Sequence, residues 1–463
     1  MSVLPLDDEV RRAHRALGPI SARLLERAAA DPRWCDHDAF VSLAAATRRT
    51  FLFQPWPFVL DRPAVEELAA ACRGVVRLVR TLPERFFGNR PEHLAAFYRL
   101  GDPSLARMIA EEIGGFEGVI ARTDFLWTCA GPRIIEVNLG LAGGWDLGRL
   151  ASVCRSTPPV RDFFDELAAS GVNLVHTPSM AILLEHVVGE TLAATAPNGG
   201  DLDVALTTEA ALTPDLAVGI EAYASDALAG VLARLAPGRR GRVVIGRAAD
   251  LRSESRGVVL GRRPVAAVIE QGVSHRGPLF RSWKSGQVRL YNGPVALILA
   301  DKRNLALLSE HAGRLFSAEE GALIDRVVPW TRQIRPGMVE HEGRRVVLRD
   351  LVLAERERLV MKPGRSGGGA GVALGHATPP PRWEAILSRA LAAGDWIVQK
   401  RLLPSPLMAL DGARGPAVHD VVWGVFTVGE RYAGGMLRLA PRVEGAVVNS
   451  TRGAAEGLFF EEP

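Results

Sequence analysis

The sequence predicts an α/β protein with a helical N-terminal region, and three observations carry that prediction. Residues 1–115 repeat apolar side chains largely at helical spacing. Residues 172–300 alternate short apolar strands with helices, the order that builds an open parallel sheet. Residues 301–463 hold a glycine-rich loop between two apolar strands, with several further strands after it.

Composition sets the outer bounds. The 463 residues are 48% hydrophobic and 23% charged, enough for two or three packed domains with ordinary cores. The net charge of +4 is close to balance, and no RNP, helix-turn-helix or zinc-finger pattern accompanies it, so nucleic acid is not expected as a partner. The opening segment has no basic region followed by an apolar one, and no uninterrupted apolar run approaches the ~20 residues of a membrane span. A cytoplasmic protein without membrane contact is expected. Cys35, Cys72, Cys129 and Cys154 show no CxxC spacing and read as buried thiols rather than disulfides or zinc ligands. Four of the 56 basic residues are lysine, namely Lys284, Lys302, Lys362 and Lys400; the rest are arginine. In a chain biased this strongly toward arginine, a retained lysine reads either as chance or as a site that wants a compact ammonium, and three of the four fall inside the motifs below.

In chain order, residues 11–30 and 64–82 have helical periodicity, and Pro55-Trp56-Pro57 interrupts the pattern between them. Residues 118–128 are β-rich, a Gly131-Pro132 turn follows, and residues 133–138 return as a second strand, giving a β-hairpin with a slightly long loop. Strands are expected at 202–207, 242–245 and 265–269, with a helix over 216–235; without a GxGxxG, a dinucleotide fold is not indicated. A helix opens at 301–309. Residues 358–374 read as strand, glycine loop and strand, and further strands are expected at 396–402, 421–428, 434–439 and 447–449.

Two segments carry chemistry. Gly367, Gly368, Gly369 and Gly371 let a backbone approach phosphate oxygens and point its N–H groups at them, and Lys362 ends the entering strand within reach of an α- or β-phosphate. No Walker pattern is present, and the loop alone equally fits a flexible hairpin tip. In the hairpin, strand alternation puts Arg122 and Asp124 on one face and Glu136 and Asn138 on one face. Cross-strand pairing that unites them would assemble hard oxygen donors suited to Mg²⁺; alone, the same pattern fits a solvated polar face.

Together these segments resemble the ATP-grasp superfamily. Lys302 matches its first lysine, and Lys362 with Gly367 to Gly371 its second lysine and loop. Gln399, Lys400, Arg401 and Leu402 stand at the adenine hinge. Arg438, Asn449 and Arg452 match the strand that meets the γ-phosphate and acyl group, and Asp124, Glu136 and Asn138 the metal ligands. The metal hairpin precedes the glycine loop, as in circularly permuted ATP-grasp families such as the glutathionylspermidine synthetase-like proteins. Asn292-Gly293-Pro294 and Asp301-Lys302 at the domain junction are also family-like. The resemblance covers roughly 116–463. It implies a metal-binding part at 116–165, a Rossmann-like pre-grasp domain at 172–300 and grasp lobes at 301–463, behind a helical region at 1–115. No amidase module is visible. The hinge reads Gln399-Lys400 where many relatives are acidic, which leaves the ribose partner open. Arg452 lies close to the last residue, so the early hairpin is expected to close the site.

What the resemblance implies is an ATP- and Mg²⁺-dependent ligase joining a small-molecule carboxylate to an amine through an acyl phosphate. Lys302, Lys362, the loop glycines, Gln399, Lys400 and Asn449 would hold ATP, with Lys362, Arg438 and Arg452 at the transfer itself. Such ligases are often homodimers. A phosphotransferase on a small molecule and a non-catalytic nucleotide-binding scaffold are the alternatives. Lesser candidates are a basic cluster of His275, Arg276, Arg281 and Lys284, read as a surface loop; His419-Asp420 near the active face; Cys35-Asp36-His37, read as surface; and Gly143-Gly144-Trp145, read as a helix start.

Overall fold

The protein is described here by a computed structural model covering residues 6–36, 40, 51–113, 119–140, 143–194, 200–208, 212–254, 257–270, 277–411, 415–443 and 447–463. Its largest sheet draws strands from three distant stretches of chain: β1 (Phe53–Leu60), β2 (Ile120–Thr128), β3 (Gly131–Leu139), β17 (Leu407–Leu410), β18 (Pro416–Val428), β19 (Arg431–Pro441) and β20 (Ala455–Glu461). The spatial order is β1-β20-β19-β18-β2-β3, with β17 also on β18; β1 runs parallel to β20 and the other pairs are antiparallel. One face is covered by helices. Phe125, Trp423, Val425, Leu437 and Phe459 share a core with the helices Asp8–Leu17, Pro19–Ala30 and Arg62–Phe87, each side chain contributing about 1.5–3 kcal/mol by leaving water. The long helix ends at Gly88, whose φ of 58° is left-handed and lets its N–H donate to Glu84.

Several elements differ from the sequence reading. Pro55-Trp56-Pro57 lies inside β1 rather than in a break. Proline lacks a ladder N–H, and the strand accommodates two because it is at the sheet edge and its register shifts between Gln54 and Phe58. The helical run at 11–30 divides at Gly18 (φ 129°), where a Cβ would come within 2.0 Å of the Asp61 carboxyl carbon. The hairpin turn is two residues, Cys129 and Ala130, not a long loop. Residues 447–449 are not a strand but lead into a 3₁₀ turn at Ser450–Arg452, and β20, which follows, has no counterpart in the sequence reading.

The parallel sheet expected within 172–300 is present: β4 (Val204–Thr208), β5 (Val243–Arg247), β9 (Ala267–Glu270) and β10 (Arg289–Tyr291), ordered β10-β9-β4-β5 and parallel throughout. A small antiparallel sheet of β6 (Leu251–Glu254), β7 (Gly257–Leu260) and β8 (Arg263–Val265) is inserted in it. The helix Pro214–Leu235 is long and apolar enough to cross a membrane by composition. It nevertheless packs Ala224, Leu228, Val231 and Leu232 into this core, and its Glu221 and Ser225 accept hydrogen bonds from backbone N–H groups of β5. A further sheet, β11-β16-β14-β15, comprises β11 (Thr331–Gln333), β14 (Leu359–Pro363), β15 (Ala373–Leu374) and β16 (Trp396–Lys400), backed by the helix Pro380–Ala393. The β12 (Met338–His341) and β13 (Arg344–Val347) hairpin stands beside it.

Side-chain latches join these pieces. Asn292 accepts from the Ile120 N–H and donates to its carbonyl, clamping the first residue of β2. Glu112 accepts from the Val295 N–H at 2.6 Å; burial pushes its pKa up to about 8 despite that donor. Beside Lys302, Asp301 and Arg303 form an ion pair at 2.6 Å with neither side chain exposed, and the guanidinium lies over the rings of Phe97 and Tyr98. Removing one member of such a pair strands the other in the interior. Asp301→Ala is expected to lower the unfolding free energy in urea by about 3–5 kcal/mol, whereas Lys284→Ala, which breaks an exposed pair with Glu111, should cost under about 1 kcal/mol. Equal losses in the two variants would contradict this account of the junction.

Candidate functional site

The opposite face of the main sheet is covered at one end, where Ile120, Phe426, Val428 and Met436 pack against the helix Ser179–Ala194, and carries polar residues at the other. Alternation puts Arg122, Asp124 and Leu126 of β2 on this face with Asp420, Val422 and Gly424 of β18 and Arg438 of β19. In register, Asp124 faces Gly424, Leu126 faces Val422, and Val422 faces Arg438. A Cβ on Gly424 would lie 2.9 Å from Arg122 Cδ, so glycine there makes room for the arginine to lie across the strand.

A β-bulge decides whether the hairpin carboxylates meet. Phe125 pairs with Ile134 but Asp124 pairs with Glu136, so Ile135 is the extra residue. Without it, Asp124 would face Ile135, and Glu136 would point to the other side. With it, Asp124 and Glu136 are direct cross-strand partners, as are Arg122 and Asn138.

Asp124 is 1% exposed and accepts from Arg122 Nε (2.9 Å) and Asn138 Nδ2 (3.0 Å); Arg438 Nη2 is an ion-pair partner at 2.6 Å outside hydrogen-bond alignment. Burial alone would raise its pKa, but the guanidiniums of Arg122 and Arg438 outweigh that and hold it below the usual carboxylate value. Glu136 pairs with Lys302 Nζ at 2.8 Å, and the same ammonium donates to the Ser366 carbonyl at 2.6 Å. Lys362, at the end of β14, donates to Gln399 Oε1 (2.7 Å) and the Ile135 carbonyl (3.3 Å). Gln399 in turn donates to Thr331 Oγ1 at 3.0 Å. Desolvation lowers Lys362 to a pKa of about 8; Glu136 and Asp124 oppose the shift and Lys302 adds to it.

The glycine loop lies between β14 and β15. Gly368, Gly369 and Gly371 have φ of 62°, 72° and 73°, conformations that disfavour other residues; Gly367 has open space where a Cβ would be. The loop is held from the 3₁₀ turn: Thr451 Oγ1 donates to the Gly368 carbonyl (3.1 Å) and Arg452 Nη2 to that of Gly369 (2.9 Å). Asn449 Oδ1 accepts from both the N–H and the hydroxyl of Thr451. Thus Asn449 and Arg452 position the loop.

These groups surround a cavity of about 460 Å³. Asp124, Glu136, Lys302, Lys362 and Arg438 line it, as do Gly369, Gln399, Lys400 and Asn449; Asn138, Gly367, Gly368, Gly371 and Arg452 stand outside the lining. Val360, Leu374, Leu402, Leu403 and Val443 make the rest markedly apolar. Around Asp124 and Glu136 stand four cationic side chains, Arg122, Lys302, Lys362 and Arg438. Glu456, in register with Arg438, adds a third carboxylate, and four cations among three carboxylates still leave a net positive charge that suits a polyanion. Among the described residues no three His, Cys, Asp or Glu are grouped to hold a metal. The two facing carboxylates nevertheless fit Mg²⁺, which commonly takes one or two protein carboxylates and completes its shell with phosphate oxygens and water. Arg438 lines the cavity, and its buried Nε has no hydrogen-bond partner among the described residues.

Arg122, whose pKa burial would lower but Asp124, Glu136 and Glu456 hold raised, was read from sequence only as sharing a face with Asp124 and was given no role in the site. Its Nη1 donates to the Gly143 carbonyl, in a turn rather than a helix start, beside Trp145 stacked on Phe426. Arg281 and Lys284 lie on the helix Gly277–Lys284, not in a loop, and do not line the cavity; His275 and Arg276 fall outside the described residues. His419 Nδ1 bonds the Ala417 carbonyl, and Asp420 lines the cavity. Cys72 and Cys154 are buried free thiols, but Cys129 is exposed and Cys35 partly so; His37 falls outside the described residues.

No family model and no curated protein sequence matches the chain. Among solved structures it is similar to a glutathione synthetase-like effector from Globodera pallida in the apo form, with 11% identity and a TM-score of 0.56 over 93% of this chain and 98% of that one. At that identity the likeness is one of fold: the chain is a mixed α/β protein with several sheets that shares the overall architecture of that structure.

Proposed function

We propose that this chain is an ATP-dependent carboxylate–amine ligase with a circularly permuted ATP-grasp. The observation that carries the reading is the meeting of Asp124 and Glu136, from residues 120–139, with Lys302, Lys362 and Arg438, from residues more than 150 positions later, around one cavity. On this reading residues 116–165 are the displaced metal-binding part, 172–300 the pre-grasp domain and 301–463 the grasp lobes, behind the helical region 1–115.

The chemistry follows from the charges. Lys302, Lys362 and loop N–H groups hold the triphosphate, while Gln399 keeps Lys362 aimed. Gln399 and the backbone of Lys400 border the base end, and Asn449 and Arg452 keep the loop over the phosphates. A substrate carboxylate oxygen attacks the γ-phosphorus, the bond to the bridging oxygen breaks, and ADP leaves. Asp124, Glu136 and Asn138 would hold Mg²⁺, which neutralises charge on the phosphates during such transfers. Arg438, which lines the cavity, offers its positive charge to the transferring phosphoryl group and then to the tetrahedral oxyanion. An amine nitrogen then attacks the acyl carbon, loses a proton, and phosphate departs to leave the amide.

Two outcomes test these roles. Glu136→Ala should lower ligase turnover at least about 100-fold while changing the nucleotide Kd less than tenfold, since its contribution is greatest in the transition state. Near-full turnover, read as ADP release coupled to amide, would contradict the metal assignment; ADP with a phosphorylated acceptor would point to phosphotransfer instead. The second outcome concerns Lys362, charged below about pH 8 and neutral above it. Affinity for inorganic triphosphate should fall as pH rises through 8. Folding stability should rise over the same interval up to the ordinary lysine range, because the unfolded chain binds that proton more readily. Lys362→Met should bind triphosphate weakly with no such pH dependence; a wild-type affinity flat across this range would contradict the role.

A further inference from the structure

We infer that Asp420 is the residue that holds the ribose hydroxyls of the bound nucleotide, an assignment that rests on the nucleotide reading above. The hinge itself offers no carboxylate. Gln399 is spent on Lys362 and Thr331, and Lys400 and Arg401 are cations. Four carboxylates line the cavity: Glu9, Asp124, Glu136 and Asp420. Asp124 and Glu136 belong to the cationic end. Glu9 is on the first helix with its side chain 60% exposed. That leaves Asp420.

Its position along the strand fits a sugar. Asp420 shares a face of β18 with Val422 and Gly424, and Gly424 is in register with Asp124. Four residues of strand set Asp420 roughly 13 Å along the sheet from Asp124, the stretch an extended nucleoside triphosphate covers between its metal-bound phosphates and its sugar. The carboxylate is also oriented. Arg442 Nε donates to Oδ1 at 2.7 Å, and Arg442 Nη2 donates to the Pro404 carbonyl at 2.6 Å, just past the hinge. Oδ2 has no partner among the described residues, and the side chain is 22% exposed toward the cavity. A carboxylate fixed at one oxygen and free at the other accepts from a vicinal diol. The Arg442 charge beside it offsets repulsion from the phosphates.

The experiment compares binding of a non-hydrolysable ATP analogue, its 2′-deoxy and 3′-deoxy counterparts, and inorganic triphosphate, on wild type and Asp420→Ala. Wild type should prefer the ribonucleotide by about 10- to 100-fold, the worth of hydrogen bonds to a charged acceptor. Asp420→Ala should bind all three nucleotides alike, with triphosphate affinity unchanged. Should that variant lose triphosphate binding as well, Asp420→Asn, which keeps the side chain's shape, serves in its place and should lose most of the preference. Preference retained in the variant, or no preference in wild type, overturns the assignment of Asp420 and leaves the nucleotide reading standing. Wild type that binds triphosphate but no nucleotide overturns both.

Discussion

A carboxylate buried between two guanidiniums organises the site. Asp124 at 1% exposure would be costly alone, since an unpaired interior charge carries a penalty of several kcal/mol. Arg122 from the same strand, Arg438 from β19 and the Asn138 amide from β3 together offset it. Those partners come from three strands of one sheet, and Asp124 reaches them only because β2 lies against β18 with glycine at 424 between the arginines. The bulged pairing of β2 with β3 sets Glu136 opposite Asp124, where it meets Lys302, while the Ile135 carbonyl meets Lys362. A change that freed Asp124 would therefore disturb the sheet, the bulge and both lysines together.

Much of this was legible in the sequence where a residue type carries its own physics. Four glycines between apolar strands announce a tight loop, and lysines in an arginine-biased chain stand out. The hairpin's alternation showed which polar residues share a face, but not that the two faces coincide. That depends on the bulge at Ile135, and an isoleucine in a strand gives no sign of being the extra residue. Gln399 was legible as a polar residue in an apolar strand, but its service to Lys362 depends on the antiparallel pairing of β14 with β16. The strand β1 was hidden by prolines that only an edge position tolerates. Asn449 and Arg452 were named from sequence for the transfer end, but Arg452 donates to the Gly369 carbonyl and Asn449 holds Thr451, which donates to that of Gly368, because a 3₁₀ turn follows where a strand was expected.

The pairings also describe a site that satisfies itself. Lys302 sits on Glu136 and Arg438 on Asp124. A polyanion entering the cavity competes for those cations, and each one drawn toward phosphate leaves a carboxylate oxygen for a divalent ion. On the proposed reading anion and metal would therefore favour each other's binding, each taking up a charge that the other leaves unpaired. The low dielectric of the cavity strengthens both the resting pairs and their replacements.

Calorimetry with a non-hydrolysable ATP analogue tests most directly whether this cavity binds a nucleoside triphosphate with magnesium. Titrations of wild type and Lys362→Ala, each with and without Mg²⁺, should give tight, magnesium-dependent binding in the first and little in the second. A folded wild type that binds no analogue under either condition would contradict the account, and the glycine loop and hairpin would then be structural features only.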